Sequence, residues 1–336
     1  MRASVLKNGK FEVVDMDMPE LKEKGAIVRV TGCGLCGSDI VKLKHNSVPD
    51  GTVLGHEIVG KIVKIHSDTD FMVGDEIVMG HHVPCFDCTY CYGENYSMYR
   101  KFKHTNIIPG GFAEYIYVSE DHLMNTVFNV TASITDEEIS FTEPLACCIR
   151  CVKRTKVDFN SNVLVVGLGT IGLLMGQAAR ELGFKAYGVD LLDERVELAK
   201  KFGFEDAFKL GDLKETVSDM KLTVNPSGFD AVIMTSGADQ ALDLAFASVR
   251  DGGTINVFSS VKSDETAYPN NQIYYRELTV TSSYSSSPVD LEDAFEFLQN
   301  NRVKVEGLST RYPLEKLNEA VADTLSNKIM KAYIEI

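Results

Sequence analysis

Hydrophobic and polar positions along this chain follow two different rhythms. Up to about residue 130, apolar residues come in short alternating stretches at residues 3–5, 11–13, 26–30, 58–63 and 115–118, with a further strand ending at Val78. A period of two over a few residues predicts half-buried strands joined by turns. From residue 163 the rhythm changes. Continuous apolar runs at 163–166, 184–189, 231–234, 254–258 and 278–281 alternate with helical spacing. The first helix carries Ile171, Leu174, Met175, Ala178 and Leu182 at three- and four-residue steps and ends on Gly183, a left-handed cap candidate. Helices are also predicted over 193–202, 240–249 and 291–298, and residues 135–154 read as mostly helical. Repeated strand–helix units predict a doubly wound parallel sheet. The closing run 330–336 reads as a strand returning to the β-rich part. The expectation is an α/β chain of two domains: a discontinuous β-rich domain, 1–145 with 286–336, and a cofactor domain, 146–285.

The strand at 163–166 runs straight into Gly167-Leu168-Gly169-Thr170-Ile171-Gly172, and the next strand stops on Asp190. Gly167 permits a tight turn, Gly169 lets a pyrophosphate approach the backbone, and Gly172 lets the helix pack on the sheet. The helix N-terminus at Thr170 and Ile171 offers N–H groups to phosphate. A carboxylate about 20 residues on accepts ribose hydroxyls and repels a 2′-phosphate. The cofactor expected is NAD, with Arg195 beside the ribose site.

Composition narrows the classes. Hydrophobic residues make up 44% of 336, enough for full cores. A net charge of −14 argues against nucleic acid and anionic membrane as partners. No apolar run approaches the ~18 residues of a membrane span. The opening Met1-Arg2-Ala3-Ser4-Val5 enters a strand pattern without a signal-peptide core, so a cytoplasmic location is expected. The eight cysteines cluster at 33 and 36, at 85, 88 and 91, and at 147, 148 and 151. Such clustering in a long chain points to metal or catalysis more than to disulfides.

Two glycine-rich loops supply donors for a metal. One holds Cys36, ahead of Ser38, and the other holds Gly55-His56-Glu57. Thiolate, imidazole and carboxylate are the donor types of a catalytic zinc site with an open position. Alone, Cys36 reads as a buried thiol and His56 as a satisfied core histidine. Together, ahead of a dinucleotide fold, they read as a site.

Gly32-Cys33-Gly34-Leu35-Cys36-Gly37-Ser38-Asp39, Gly55-His56-Glu57, Val73-Gly74-Asp75-Glu76, Cys85-x-x-Cys88-x-x-Cys91, the segment Gly110 to Tyr115, Glu143-Pro144-Leu145-Ala146 and the Gly167 fingerprint occur in one order. In that order they resemble the zinc-dependent medium-chain dehydrogenases, nearest the polyol and sorbitol branch, with threonine dehydrogenases nearby. The resemblance covers essentially the whole chain. It implies a GroES-like catalytic domain joined to a Rossmann domain. It implies a catalytic zinc on Cys36 and His56, with Glu57 as a further or alternate ligand and Glu143 binding directly or through water. A helix N-terminal acid before Pro144 is the other role for Glu143. The implied reaction is NAD-linked oxidation of a secondary alcohol (polyol, sugar, cyclitol or sugar phosphate) to a ketone. Ser38 would take the alcohol proton, unless it or Asp39 serves as the helix N-cap. A dimer or tetramer through edge strands of the cofactor sheet is also implied. Cys147, Cys148 and Cys151 are expected to pack.

Three departures qualify the resemblance. The lobe of Cys85, Cys88 and Cys91 has Tyr99 where relatives with a structural zinc place a fourth cysteine, leaving Glu94 or water as substitutes. Val41 stands where relatives often have the histidine that ends a proton relay, with His45 a weak replacement. Ser285 stands where polyol dehydrogenases grip substrate with arginine. Lys42 and Lys44 could meet a phosphate, though exposed lysines are usually only solvated. The rival readings are an amino-alcohol dehydrogenase of the same family, a zinc-free reductase of this fold, and a non-catalytic NAD-binding relative.

Overall fold

The structure, a computed structural model, describes residues 1–131, 134–259 and 267–336. The chain divides into two compact units, Met1–Ala146 with Ser286–Ile336, and Cys147–Ser285.

The first unit is built on a largely antiparallel sheet. Its strands lie in the order Ser309–Pro313, Lys331–Glu335, Gly25–Gly34, Glu57–His66, Glu76–Met79 and Val127–Asn129. Gly25–Gly34 organises it by serving different neighbours along its length. Tyr115–Ser119 pairs with its first half, Lys331–Glu335 with its last residues, and Glu57–His66 with nearly all of it. Alternate side chains of these strands meet in one core, in which Val28, Ile58, Ile62, Ile116 and Ile334 are all at most 1% exposed. Phe112 closes this core, fully buried, with its ring edge-on to Phe11 at 5.9 Å. A separate hairpin, Arg2–Lys7 with Lys10–Asp15, completes the β part.

The second unit is a six-stranded sheet whose adjacent pairs all run parallel. The order is Asp206–Lys209, Lys185–Asp190, Asn162–Val166, Phe229–Met234, Val249–Val257 and Thr279–Ser282. In chain order this is 3-2-1-4-5-6, the dinucleotide-binding arrangement, with its switch point beside the first strand. That strand is Asn162–Val166, and the helix Thr170–Glu181 follows it.

The structure adds to the sequence reading in places. The helical stretch after Thr135 is two helices, Asp136–Ile139 and Thr142–Thr155, the first closed by a capping box between Thr135 and Glu138. Helices not anticipated include Glu120–Asn125, Leu213–Thr223, Asn270–Tyr275 and Leu317–Leu325. Gly183 takes the left-handed conformation (φ 90°) expected of a cap.

Truncating Phe112 to Ala leaves a cavity with no easy collapse, and such changes cost about 3–5 kcal/mol. Urea unfolding of the Phe112→Ala variant should show that loss, and a loss below about 1 kcal/mol would contradict the assigned packing.

Candidate active site

One register sets the site. Gly34 at the end of its strand pairs with Glu57 at the start of the next. Cys36 lies just beyond the first and His56 just before the second, so the pairing draws both loops together. The donor atoms of Cys36, His56 and Glu57 lie within 4.8 Å of one another. His56 is 8% and Glu57 1% exposed.

The helix Gly37–His45 begins here with Cys36 as its N-cap. The capping role expected of Ser38 or Asp39 therefore belongs to Cys36. Asp39, one turn in, reaches back and accepts from the Cys36 N–H at 3.3 Å. Ser38 is exposed on the first turn. The second oxygen of Asp39, wholly buried, lies 3.4 Å from His56 Nδ1 and has no hydrogen-bond partner among the described residues. With Nδ1 facing a carboxylate, Nε2 is the nitrogen left for a metal. Burial alone would depress the His56 pKa, but Asp39 and Cys36 outweigh it and hold the imidazole well above its ordinary range. Burial works to raise Asp39, and His56 with Lys42 more than offsets it, leaving the carboxyl low.

The sequence reading missed Lys331. It is 6% exposed, ion-paired with Glu57 Oε2, and its ammonium lies 3.4 Å from the Leu35 carbonyl. A side chain at Gly34 would run into the Glu57 carboxylate, so glycine is required for this pair to form. Burial disfavours the Lys331 charge, but Glu57 and then Cys36 raise its pKa above the ordinary value. A lone lysine heading the otherwise apolar run Ala332-Tyr333-Ile334 was the available signal.

Glu143, 5% exposed, stands in the first turn of Thr142–Thr155, outside the 4.8 Å group. Its Oε1 is 3.9 Å from Nδ1 of His81. The His81 ring lies 4.6 Å from that of His56 and 4.2 Å from that of His82, which lies tilted against Phe102 at 4.7 Å. Burial first, then the neighbouring His56 and His82, push His81 well below its usual range. Burial and His122 take His82 down to about 3. Both rings are therefore neutral at physiological pH.

Zinc takes S, N and O donors, and the Cys36, His56 and carboxylate group, backed by the orphaned Asp39 oxygen, fits that ion. The Cys85, Cys88 and Cys91 sulfurs form a second group, with Cys91 3.8 Å from Cys85 and 3.5 Å from Cys88. Thiolates about 2.3 Å from a tetrahedral ion lie about 3.8 Å apart. Burial and the neighbouring thiols push Cys91 up to about 11, whereas the Cys91 N–H pulls Cys88 down. Among the described residues no histidine or carboxylate, Glu94 included, joins them at that separation. Burial first, then the neighbouring Cys85, Cys88 and Cys91 thiols, raise the Tyr99 pKa above its ordinary value.

In the second unit, Gly167 takes φ 94°, and a Cβ on Gly172 would collide with the Gly167 carbonyl. A Cβ on Gly169, the N-cap of Thr170–Glu181, would meet nothing within 4 Å, which leaves its backbone open to a ligand. Asp190 Oδ2 accepts from Leu168 N at 2.7 Å and Oδ1 from Leu192 N at 3.0 Å, and Arg195 lies 3.6 Å from Oδ2. The carboxylate thus anchors the glycine loop and keeps lone pairs for a ribose. Thr235 pins the same turn through bonds to the Val166 and Gly167 carbonyls at 3.0 and 2.8 Å, a contact invisible in the sequence. Cys148 and Cys151 are fully buried, in keeping with packing, and Cys147 is half-buried.

Residues 22–127 match the alcohol dehydrogenase GroES-like domain, and residues 170–300 match the zinc-binding dehydrogenase domain. The chain is 31% identical to a probable D-xylulose reductase A of Aspergillus terreus, over 97% of this chain and 94% of that protein. It is 28% identical to a sorbitol dehydrogenase of Bacillus subtilis, over 99% and 97%. The solved structure of galactitol-1-phosphate dehydrogenase from Escherichia coli superposes with a TM-score of 0.86 at 28% identity, covering all of both chains. By fold, donor set and these likenesses, the chain belongs to the zinc-dependent medium-chain alcohol dehydrogenases, on their polyol dehydrogenase-like branch.

Proposed function

We propose that this enzyme oxidises a secondary alcohol of the polyol, sugar, cyclitol or sugar-phosphate class to the ketone with NAD, at a zinc held by Cys36 and His56 with a carboxylate from Glu57 or Glu143. The observation that carries this reading is the convergence of the Cys36, His56 and Glu57 donors within 4.8 Å. A zinc held there would supply Lewis-acid polarisation of the substrate oxygen, and bound NAD would supply the hydride acceptor.

The chain's own residues do the rest. Asp39 sets its negative charge 3.4 Å from His56 Nδ1, which favours a proton on that nitrogen and leaves Nε2 for a metal. Lys331 balances the buried charge of Glu57 and turns that carboxylate toward itself. Ser38, exposed two residues beyond Cys36, takes the alcohol proton and passes it directly to water, which makes a histidine at position 41 unnecessary. Gly169, Thr170 and Ile171 hold the pyrophosphate, and Asp190 with Arg195 reads the ribose. Cys85, Cys88 and Cys91 hold a second, structural zinc, with water as the fourth donor. No helix among the described residues is long and apolar enough to cross a membrane. A cytoplasmic homo-oligomer completes the proposal, resting on the family resemblance.

Elemental analysis should find about two zinc per chain in the wild type and about one in Cys36→Ser. The variant should lose turnover by about a thousandfold or more, while NADH binding, followed by fluorescence, stays within about twofold. Full zinc content and turnover in the variant would contradict the role of Cys36. Asp190→Ser should weaken NAD by about tenfold and raise relative use of NADP. An unchanged NAD to NADP ratio in steady-state kinetics would contradict the ribose role.

A further inference from the structure

The parallel sheet of the second unit has two ends. The glycine fingerprint lies where its strands finish, directly after Val166. At the other end, where Phe229–Met234 and Val249–Val257 begin, a cleft of about 590 Å³ opens among Lys221, Ser227, Arg250, Gln272 and Arg276. Small-molecule sites are typically about 300–1,000 Å³. The intervening strand Phe229–Met234 has six residues and is about 17 Å long at the usual rise, so the cleft is separate from the fingerprint.

Two arginines are fixed there. Arg250 donates through Nε to Asp230 Oδ1 at 2.7 Å and through Nη1 to the Asp251 carbonyl at 2.8 Å. Asp230 is itself anchored, its other oxygen accepting from the Asn162 N–H at 2.8 Å. Arg276 donates to Asp251 Oδ1 at 2.7 Å and to the carbonyls of Phe246 and Val249 at 2.7 and 2.6 Å. Gln272 turns its amide oxygen toward Arg276 at 3.3 Å. These bonds occupy most of the acceptors around the cleft, and the groups that remain are donors. Arg250 Nη2, the Lys221 ammonium and the Gln272 amide nitrogen have no hydrogen-bond partner among the described residues. Asp251 is the one acid in the lining, and the cations outnumber the acids even with Asp230 counted. In a chain of net charge −14, a cleft with an excess of positive charge attracts an anion.

We propose that this cleft binds a phosphate group, as a monoester or as free phosphate, at a site distinct from the catalytic one. Guanidinium groups match phosphate oxygens in geometry as well as charge. Arginines already held by their neighbours lose little freedom when a ligand arrives. Phe246 and Ala247 add an apolar side to the cleft against which the carbon part of a monoester packs. The inference does not depend on the alcohol dehydrogenase reading.

The test is calorimetric titration of the zinc-loaded enzyme, saturated with NADH, with glycerol 3-phosphate and with inorganic phosphate at constant ionic strength. NADH fills the pyrophosphate site, so the heat reports binding elsewhere. Wild type is compared with Lys221→Glu, Arg250→Gln and Lys42→Ala, the last as a control for phosphate near the catalytic loops. Wild type should bind at least one of the two probes with a Kd of about 1 mM or lower. Lys221→Glu and Arg250→Gln should each weaken that binding by about tenfold, and Lys42→Ala should leave it within about twofold. Tighter binding of glycerol 3-phosphate assigns the cleft to a monoester, and equal affinities assign it to free phosphate. If Arg250→Gln fails to fold, Lys221→Glu decides alone, since it removes no bond within the described residues. No heat from either probe up to about 10 mM, an unchanged Kd in Lys221→Glu, or a loss confined to Lys42→Ala would each overturn the site.

Discussion

The pairing of Gly34 with Glu57 is the constraint on which the site depends. Side chains alternate across a strand, so slipping this register by one residue would turn Glu57 to the opposite face and carry His56 away from Cys36. The register is secured on both sides. Tyr333 and Ile334 pair with Gly34 and Cys33 from one neighbour, while Ile58 pairs with Cys33 from the other. Apolar residues of these strands fix the pairing by burial, and the polar residues at the strand ends inherit their positions from it. The candidate site is thus placed by the core rather than by contacts between its own polar groups.

That arrangement also explains how so much charge is tolerated indoors. Glu57, Asp39 and Glu143 are all at most 5% exposed. Isolated buried carboxylates are costly, and they persist when paired. Lys331 answers Glu57, and the imidazole of His56 answers Asp39. A divalent ion held at Cys36, His56 and Glu57 would add positive charge to this cluster. The neutral pair His81 and His82 sits on the flank of this charged cluster, where burial keeps both imidazoles from adding to the positive charge.

The sequence was most informative where one local rule dominated. The fingerprint from Gly167 to Gly172 announces its strand, turn and helix because each glycine answers a separate steric demand. The alternation through residues 26–30 and 58–63 likewise located two central strands. Less legible were elements whose signal is tertiary. Ser309–Pro313 is a polar strand at a sheet edge, bounded by proline, with only Tyr312 buried, and local pattern says little about it. Leu213–Thr223 carries a readable cap at Asp212 and an apolar stripe through Val217 and Met220, so its signal was present and unused. In the site, Cys36 and His56 were nameable from their loops, but Lys331 and His81 were not. Each is defined by what lies against it, Glu57 for one and Glu143 for the other, at separations in the chain of hundreds and tens of residues.

The most direct measurement is anomalous scattering from crystals of the purified enzyme, recorded on both sides of the zinc absorption edge. The account predicts a zinc peak within bonding distance of Cys36 Sγ, His56 Nε2 and one oxygen of Glu57 or Glu143. A well-ordered site without such a peak, with the thiol and the imidazole turned apart, would contradict it.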